Sequence, residues 1–315
     1  MQIFMKQLGI FLMGPTAAGK TDLAVTLVKQ LPCDIISVDS AMIYREMNIG
    51  TAKPSAEVLA QAPHRLIDIR DPLESYSVAQ FCQEALTEIQ AIQSVGRIPL
   101  LVGGTMLYFH SLQQGLSPLP PADLPVRQRL QREAEELGWP ALHQRLVRID
   151  PPSAQRIHPN DSQRIQRALE VYEVSGYTMT AWYAQAITQP RWQPLLKLVL
   201  CPEQRSVLHA KIAQRFEVML AQGFIAEVDN LFRRGDLTAD LPAMRCVGYR
   251  QVWRYLMGQL DYNNLIETAI SATRQMAKRQ LTWLRTQADA IWFDSEQPQV
   301  SKNILNQIEK NVTFS

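Results

Sequence analysis

The sequence predicts an α/β fold, a parallel-sheet core flanked by helices and interrupted by a mostly helical insertion. Three observations predict it. Short apolar runs alternate with helical periodicity, a glycine-rich turn joins the first run to the first helix, and strand-like runs vanish between residues 116 and 194. In order, Leu8–Met13 reads as a buried strand, and from Lys20 the residues Leu23, Ala24, Leu27, Val28 and Leu31 recur at helical spacing. Asp34–Val38 is a second strand ending in Asp39-Ser40, and Arg65–Ile69 a third ending at Asp71-Pro72. A helix runs from Ser77 to Ser94 with Ser75 or Ser77 as its cap, and Arg97–Val102 is a strand closed by Gly103-Gly104. After Gly115 a proline-rich stretch, 117–125, leads into arginine-rich helical periodicity from Val126 to about Gly176. Leu195–Leu200 restores a strand. Helices follow over 203–222, 248–257 and 262–286, and Ile291–Asp294 forms a last strand. The expected core is therefore residues 1–115 with 195–315, and the insertion is 116–194.

Composition narrows the function classes. With 315 residues, 46% apolar and 20% charged, the chain has enough apolar surface for a sizeable core, which excludes a single small module and general disorder. Thirty-two basic against 30 acidic residues give +2, so a nucleic-acid footprint has to be local. Cys33, Cys82, Cys201 and Cys246 fall singly, and none of the five histidines stands at ligand spacing, which argues against zinc or a disulfide framework and for a reducing cytoplasm. The uncharged stretch between Arg97 and Asp123 is broken by glycines, prolines and glutamines, so it is not a membrane span. Lys6 before Leu8–Met13 mimics a signal peptide, but the apolar run is too short for one. With no exposed heptad or long apolar stripe, a monomer is expected.

Gly14-Pro-Thr-Ala-Ala-Gly19-Lys20-Thr21 satisfies G-x-x-x-x-G-K-[ST] between a strand and a helix, the context the motif requires. Curled N–H groups from Thr16, Ala17, Ala18, Gly19, Lys20 and Thr21, the Lys20 ammonium and the helix start all favour a di- or triphosphate, and the Thr21 hydroxyl suits Mg²⁺. Parallel strands present their carboxyl ends to one crevice, so Asp39 and the Gly103-Gly104-Thr105 turn should converge on this loop. Asp39 suits a metal ligand, a general base or a simple cap of the next segment.

Read together, 14–21, Val-Asp-Ser-Ala-Met-Ile-Tyr-Arg (38–45), Ile-Gly-Thr-Ala-Lys-Pro (49–54), Gly-Gly-Thr-Met-Leu-Tyr (103–108), Arg-Cys-Val-Gly-Tyr-Arg-Gln (245–251) and Lys-Arg-Gln-Leu-Thr-Trp-Leu-Arg (278–285) closely resemble the bacterial tRNA dimethylallyltransferases. Only the first block is shared with phosphate-loop NTPases at large. The resemblance implies a phosphate-loop NTPase-like core and transfer of a dimethylallyl group from dimethylallyl diphosphate to N6 of the adenosine 3′ of the tRNA anticodon, position 37, with no ATP. The sequence departs from the family pattern at Glu46 and Asn48, where Gly and Asp are common in relatives, and at Ala18 and Lys211.

For this chemistry Asp39 is the chosen base, since a carboxylate that accepts the N6 proton as the C–N bond forms contributes roughly 10²–10⁴-fold. The loop with Lys20 holds the leaving diphosphate, and by resemblance Arg215 adds a clamp and Thr105 borders both substrates. The resemblance also places Asp39, Ser40, Ala41 and Met42, Arg127, the tract Gln163-Arg164-Ile165-Gln166-Arg167, and Arg245-Cys246-Val247-Gly248-Tyr249-Arg250 against the tRNA. From the residues alone, Lys278, Arg279 and Arg285 lie in a stretch without acids from Thr268 to Ala288, with Trp283 interleaved for packing or stacking. Rival readings are a nucleotide or small-molecule kinase, a prenyltransferase acting on free adenine nucleotides, and a non-catalytic RNA-binding protein.

Overall fold

The computed structural model describes residues 9–115, 117, 119–185 and 192–311; Lys6 and Leu8, read above at the chain start, lie outside them. Six strands, β1 (Ile10–Met13), β2 (Cys33–Val38), β3 (His64–Arg65), β4 (Ile98–Gly103), β5 (Leu196–Cys201) and β6 (Ile291–Asp294), form one sheet in the order β3-β2-β4-β1-β5-β6. Every pairing is parallel. The chain divides into two compact units, Met1–Gln113 with Trp192–Ser315, and Gln114–Arg191.

In the first unit, helices α1 (Lys20–Gln30), α2 (Ala56–Gln61), α3 (Val78–Ser94) and α4 (Met106–Gln114) accompany the first four strands. Leu23, Ala24 and Leu27 of α1 bury against Ile10, Leu12, Leu100 and Leu198, which alternate along the strands onto one face of the sheet. Phe11 points to the other face, with its ring centroid 4.7 Å from that of Phe109 and 5.5 Å from that of Trp192. Ser77 is the cap of α3 and forms a capping box, accepting from Gln80 N while Gln80 Oε1 accepts from Ser77 N.

The third strand is much shorter than the sequence predicts. Only His64 and Arg65 pair with β2, because Leu66 and Asp68 take left-handed backbone at φ 62° and 56° and the chain leaves the sheet plane. Its apolar run is used elsewhere: Asp68 N donates to Met42 O and Ile69 N to Ile43 O, lacing 68–70 onto the segment after β2. Glu46, one of the two departures in that segment, also stands at positive φ, 66°, where glycine is less strained.

The second unit is built from α5 (Leu124–Leu137), α6 (Trp139–Ile149), α7 (Pro151–Arg156), α8 (Ser162–Ser175) and α9 (Met179–Gln185) around Leu130, Leu142, Leu146, Ile165 and Leu169. Aspartates start three of these helices: Asp123 accepts from Val126 N, Asp150 from Ser153 N, and Asp161 from Arg164 N. The fully buried Glu170 is the polar centre, taking Arg127 Nε at 2.8 Å, Arg167 Nη1 at 2.8 Å and Asp123 N at 2.7 Å. Helices α10 (Arg205–Ala221), α11 (Phe224–Arg233), α12 (Tyr249–Leu256), α13 (Tyr262–Leu284) and α14 (Val300–Asn311) return to the first unit. Ile304, Leu305 and Ile308 of α14 join the α1 face, while Phe216, Phe224, Val228, Tyr249 and Leu265 form a separate core with Ile43, Tyr44 and Met47. No helix among the described residues is long and apolar enough to cross a membrane.

Burial alone would raise the pKa of Glu170, but the guanidinium bonds from Arg127 and Arg167 outweigh it and hold the carboxyl below its usual range. A depressed carboxylate pKa stabilises the fold above the unfolded value, about 4.3, and that contribution is lost as pH falls through the folded one. Glu170→Ala should therefore lower stability by about 2–3 kcal/mol, less than for a wholly buried pair because both arginines reach solvent. It should also weaken the acid dependence of unfolding, measured by urea denaturation of the full chain between neutral and acid pH. Identical acid curves for the two proteins would contradict the clamp.

Candidate active site

The carboxyl ends of β1, β2 and β4 open into a cleft of about 1080 Å³. Its floor is the loop after β1. Ala17 and Gly19 are both left-handed, φ 64° and 82°, which turns the backbone into a concave curl, and α1 begins at Lys20 with no side chain capping its N–H groups. The helix start is thus left for an anion. Lys20 Nζ donates to Pro15 O at 2.7 Å. Burial pushes its pKa down to about 8; Arg215 lowers it further, while Asp39 and Cys201 act against the shift. Arg215, on α10, is likewise lowered by burial and supported by Asp39, and its Nη2 reaches Thr51 O at 3.3 Å. Among the described residues neither cation has an ion-pair partner within 4.0 Å.

Opposite the loop stand Asp39, at the end of β2, and Thr105, at the end of β4. Asp39 Oδ1 caps the following turn, accepting from Ala41 N at 2.8 Å and Met42 N at 3.3 Å. The capping role is therefore real, and it occupies one oxygen; Oδ2 takes no hydrogen bond among the described residues. Thr105 Oγ1 accepts from Ser40 N at 3.1 Å, joining the ends of the two strands.

Gln280 of α13 ties this side to the phosphate loop. Its Oε1 accepts from Thr16 N at 3.0 Å and its Nε2 donates to Gly104 O at 2.8 Å. A Cβ on Gly104 would stand 2.5 Å from that nitrogen, so only glycine allows the approach. The remaining wall is the segment 48–53, held by two charged residues. Glu227 accepts from Asn48 N, Ile49 N and Gly50 N at 2.9, 2.7 and 3.1 Å and from the Tyr249 hydroxyl at 2.5 Å. Lys53 Nζ donates to Tyr44 O, Asn48 Oδ1 and Asp68 Oδ1 at 2.9, 2.8 and 2.5 Å. Sequence reasoning missed Gln280, Glu227 and Lys53. Two of them, Lys53 and Gln280, stand inside blocks that carry the family resemblance, but nothing in the local sequence marks either as a tie between segments.

The IPP transferase family model matches residues 42–287. The chain belongs to the IPP transferase family. The match begins beyond the phosphate loop, so it does not rest on the motif shared with NTPases. A solved tRNA isopentenylpyrophosphate transferase from Bacillus halodurans is 36% identical, over 97% of this chain and 96% of that one, with a TM-score of 0.70. The tRNA delta(2)-isopentenylpyrophosphate transferase of Staphylococcus epidermidis is 30% identical over 97% and 100% of the two chains, with a TM-score of 0.69. A eukaryotic dimethylallyltransferase acting on tRNA shares the fold, with a TM-score of 0.77 over 98% of this chain and 77% of that one, at 24% identity.

For an IPP transferase the cleft gathers most of the expected site: Thr16 through Thr21, Asp39 through Met42, Thr105, Arg215 and Arg245 through Val247 all line it. Gly14 precedes the curl. Gly248, at φ 93°, starts α12, and Arg250 donates to Arg245 O at 3.3 Å. Lys278 and Arg279 on α13 and Arg285 at its C-terminal cap are exposed and are not among the residues lining the cleft. Arg127, Gln163, Arg164, Gln166 and Arg167 belong to the second unit, where Arg164 is the most open and Arg127 and Arg167 are engaged by Glu170. Ile165 is fully buried in the helical core, whereas Tyr249, also buried, is among the residues that line the cleft and donates its hydroxyl to Glu227.

An anion bound beside Lys20 raises the ammonium's pKa, so above about 8 binding must take up a proton. The affinity for inorganic diphosphate should fall by up to about tenfold per pH unit from there upward. Lys20→Arg, which stays charged, should remove this slope and cancels the ligand's own titration in the comparison. Calorimetry in buffers of different ionisation enthalpy measures the uptake; equal slopes for the two proteins would exclude Lys20 as the titrating group.

Proposed function

We propose that the chain transfers a dimethylallyl group from dimethylallyl diphosphate to the exocyclic N6 of the adenosine at position 37 of tRNA, 3′ of the anticodon, with diphosphate released. The observation that carries this reading is the pair of cations without carboxylate partners, Lys20 and Arg215, facing Asp39 across one cleft in a member of the IPP transferase family. The names of the Bacillus and Staphylococcus relatives, both tRNA prenyltransferases, support it.

In this reaction N6 bonds to the allyl C1, the C1–O bond breaks, and its electron pair departs on the diphosphate. The N–H groups of the loop, Lys20 and Arg215 are fixed in place before that charge develops, which is where electrostatic stabilisation is most effective. Asp39 Oδ2 accepts the N6 proton, while Oδ1 keeps the carboxylate oriented through Ala41 N and Met42 N. Thr105, bound to Ser40 N, orients the adenine from the neighbouring strand end. Thr21 lines the cleft and its hydroxyl takes no hydrogen bond among the described residues, so it would be available to hold Mg²⁺. Bound there, the metal supplies further neutralisation of the diphosphate. The adenosine has to leave its stack to enter the cleft, and the exposed Lys278, Arg279 and Arg285 offer contacts to the RNA backbone.

The direct test incubates the protein with Mg²⁺, labelled dimethylallyl diphosphate and either unmodified tRNA or AMP, without ATP. Label is expected on a tRNA adenosine. Label on AMP alone indicates a free-nucleotide prenyltransferase, and ATP-dependent phosphoryl transfer a kinase. Asp39→Asn preserves the acceptor for Ala41 and Met42 but not the base, so turnover should fall by at least about 10²-fold with tRNA binding nearly intact. Turnover above about a tenth of wild type would end the general-base role.

A further inference from the structure

Two helices lead away from the Gly104–Thr105 turn and meet again just outside it. Helix α4 begins at Met106, directly after Thr105, and carries His110; α13 is bonded to Gly104 O through Gln280 and carries Trp283 three residues on. At about 1.5 Å of rise per residue, these side chains start some 7.5 Å and 4.5 Å along their helices from the turn. There the two rings touch edge to face, with centroids 5.3 Å apart and planes at 74°. The contact holds the indole while 38% of Trp283 stays exposed, and Leu107, one turn before His110 on α4, is 48% exposed.

The surroundings are those of a polyanion site. Lys278 and Arg279 are exposed one turn before Trp283, no carboxylate lies within 4.0 Å of either among the described residues, and no acidic residue occurs from Thr268 to Ala288. A flat, fixed ring beside unpaired cations matches the arrangement by which single-stranded nucleic acid is held, the base on the ring and the phosphate on the cation.

The geometry points to Trp283, braced by His110, as the stacking platform for an unpaired base next to the target adenosine. The inference rests on the tRNA reading above. Drawing the adenosine into the cleft between Asp39 and Thr105 removes a stacking partner from each neighbour, and Trp283 stands where one of them can regain it. The platform reads the ring of the base rather than its hydrogen-bonding edge, so it favours larger, better-stacking purines over pyrimidines.

The test uses the full chain and an anticodon stem-loop RNA with an abasic site placed in turn on each side of the target adenosine. Trp283→Ala should weaken the intact RNA by roughly 5- to 150-fold, as expected for one lost stack, and Trp283→Phe should recover most of it. The salt slope of binding should be unchanged in Trp283→Ala, whereas Lys278→Ala with Arg279→Ala should flatten it by about 0.7–0.9 per lost contact. An abasic site at one flank should weaken wild type as much as Trp283→Ala does and add little on top of that variant. Unaltered affinity for inorganic diphosphate reports that the variants are folded. Additive abasic penalties at both flanks, or no recovery by phenylalanine, would falsify the platform while leaving RNA prenylation by the wild type, and the reading above, in place. Failure of the wild type to prenylate or bind RNA overturns both.

Discussion

Two cations sit in one cleft facing Asp39, with no ion-pair partner among the described residues. Lys20 and Arg215 donate to backbone carbonyls, Pro15 O and Thr51 O, which hold the side chains without neutralising them. Burial strains both charges, as the downward shifts of their pKa values record. Nearby acids are occupied elsewhere: Asp68 by Lys53, and Glu227 by three successive backbone N–H groups and Tyr249. An anionic ligand therefore meets positive charge that no protein group has discharged, and it meets that charge already positioned.

Holding such a site open needs rigid ties between segments far apart in the chain. Gln280 spans the phosphate loop and the glycine turn with one amide, using its acceptor on Thr16 and its donor on Gly104. Thr105 and Ser40 tie adjacent strand ends. Both ties depend on close backbone approach, and at Gly104 that approach excludes any side chain. The same amide makes the helix bearing exposed lysine and arginine, α13, a direct support of the glycine-rich loop after β1.

The second unit divides its arginines between structure and surface. Arg127 and Arg167 neutralise the buried Glu170, and Arg129 and Arg145 both pair with Glu173, whereas Arg164 stands open with Asp161 at 3.5 Å. A basic tract counted as one RNA-facing patch is thus partly a core device. Removing the arginines that hold Glu170 would leave a buried charge unpaired and damage the unit before it altered any outside contact.

What the sequence determined by itself is whatever depends on neighbouring residues. The phosphate loop is contiguous, and its curl needs only small residues that accept left-handed backbone at 17 and 19. The Ser77–Gln80 box and the helix repeat of Leu23, Ala24 and Leu27 are equally local, as are the carboxyl-terminal positions of Asp39 and Thr105 on parallel strands. Tertiary structure decided the rest. Gln280 acts across 264 residues and Glu227 across 178, and Arg127 differs from Arg164 only through a glutamate 43 positions away. The run 65–69 looks like a strand because it is apolar, but left-handed backbone at Leu66 and Asp68 turns it out of the sheet, and Ile69 packs partly buried with Ile43, Tyr44 and Met47 after β2. A hydrogen bond closed over such a distance leaves no periodicity in the chain, so which polar side chain supports the site is decided only when the sheet has brought its strand ends together.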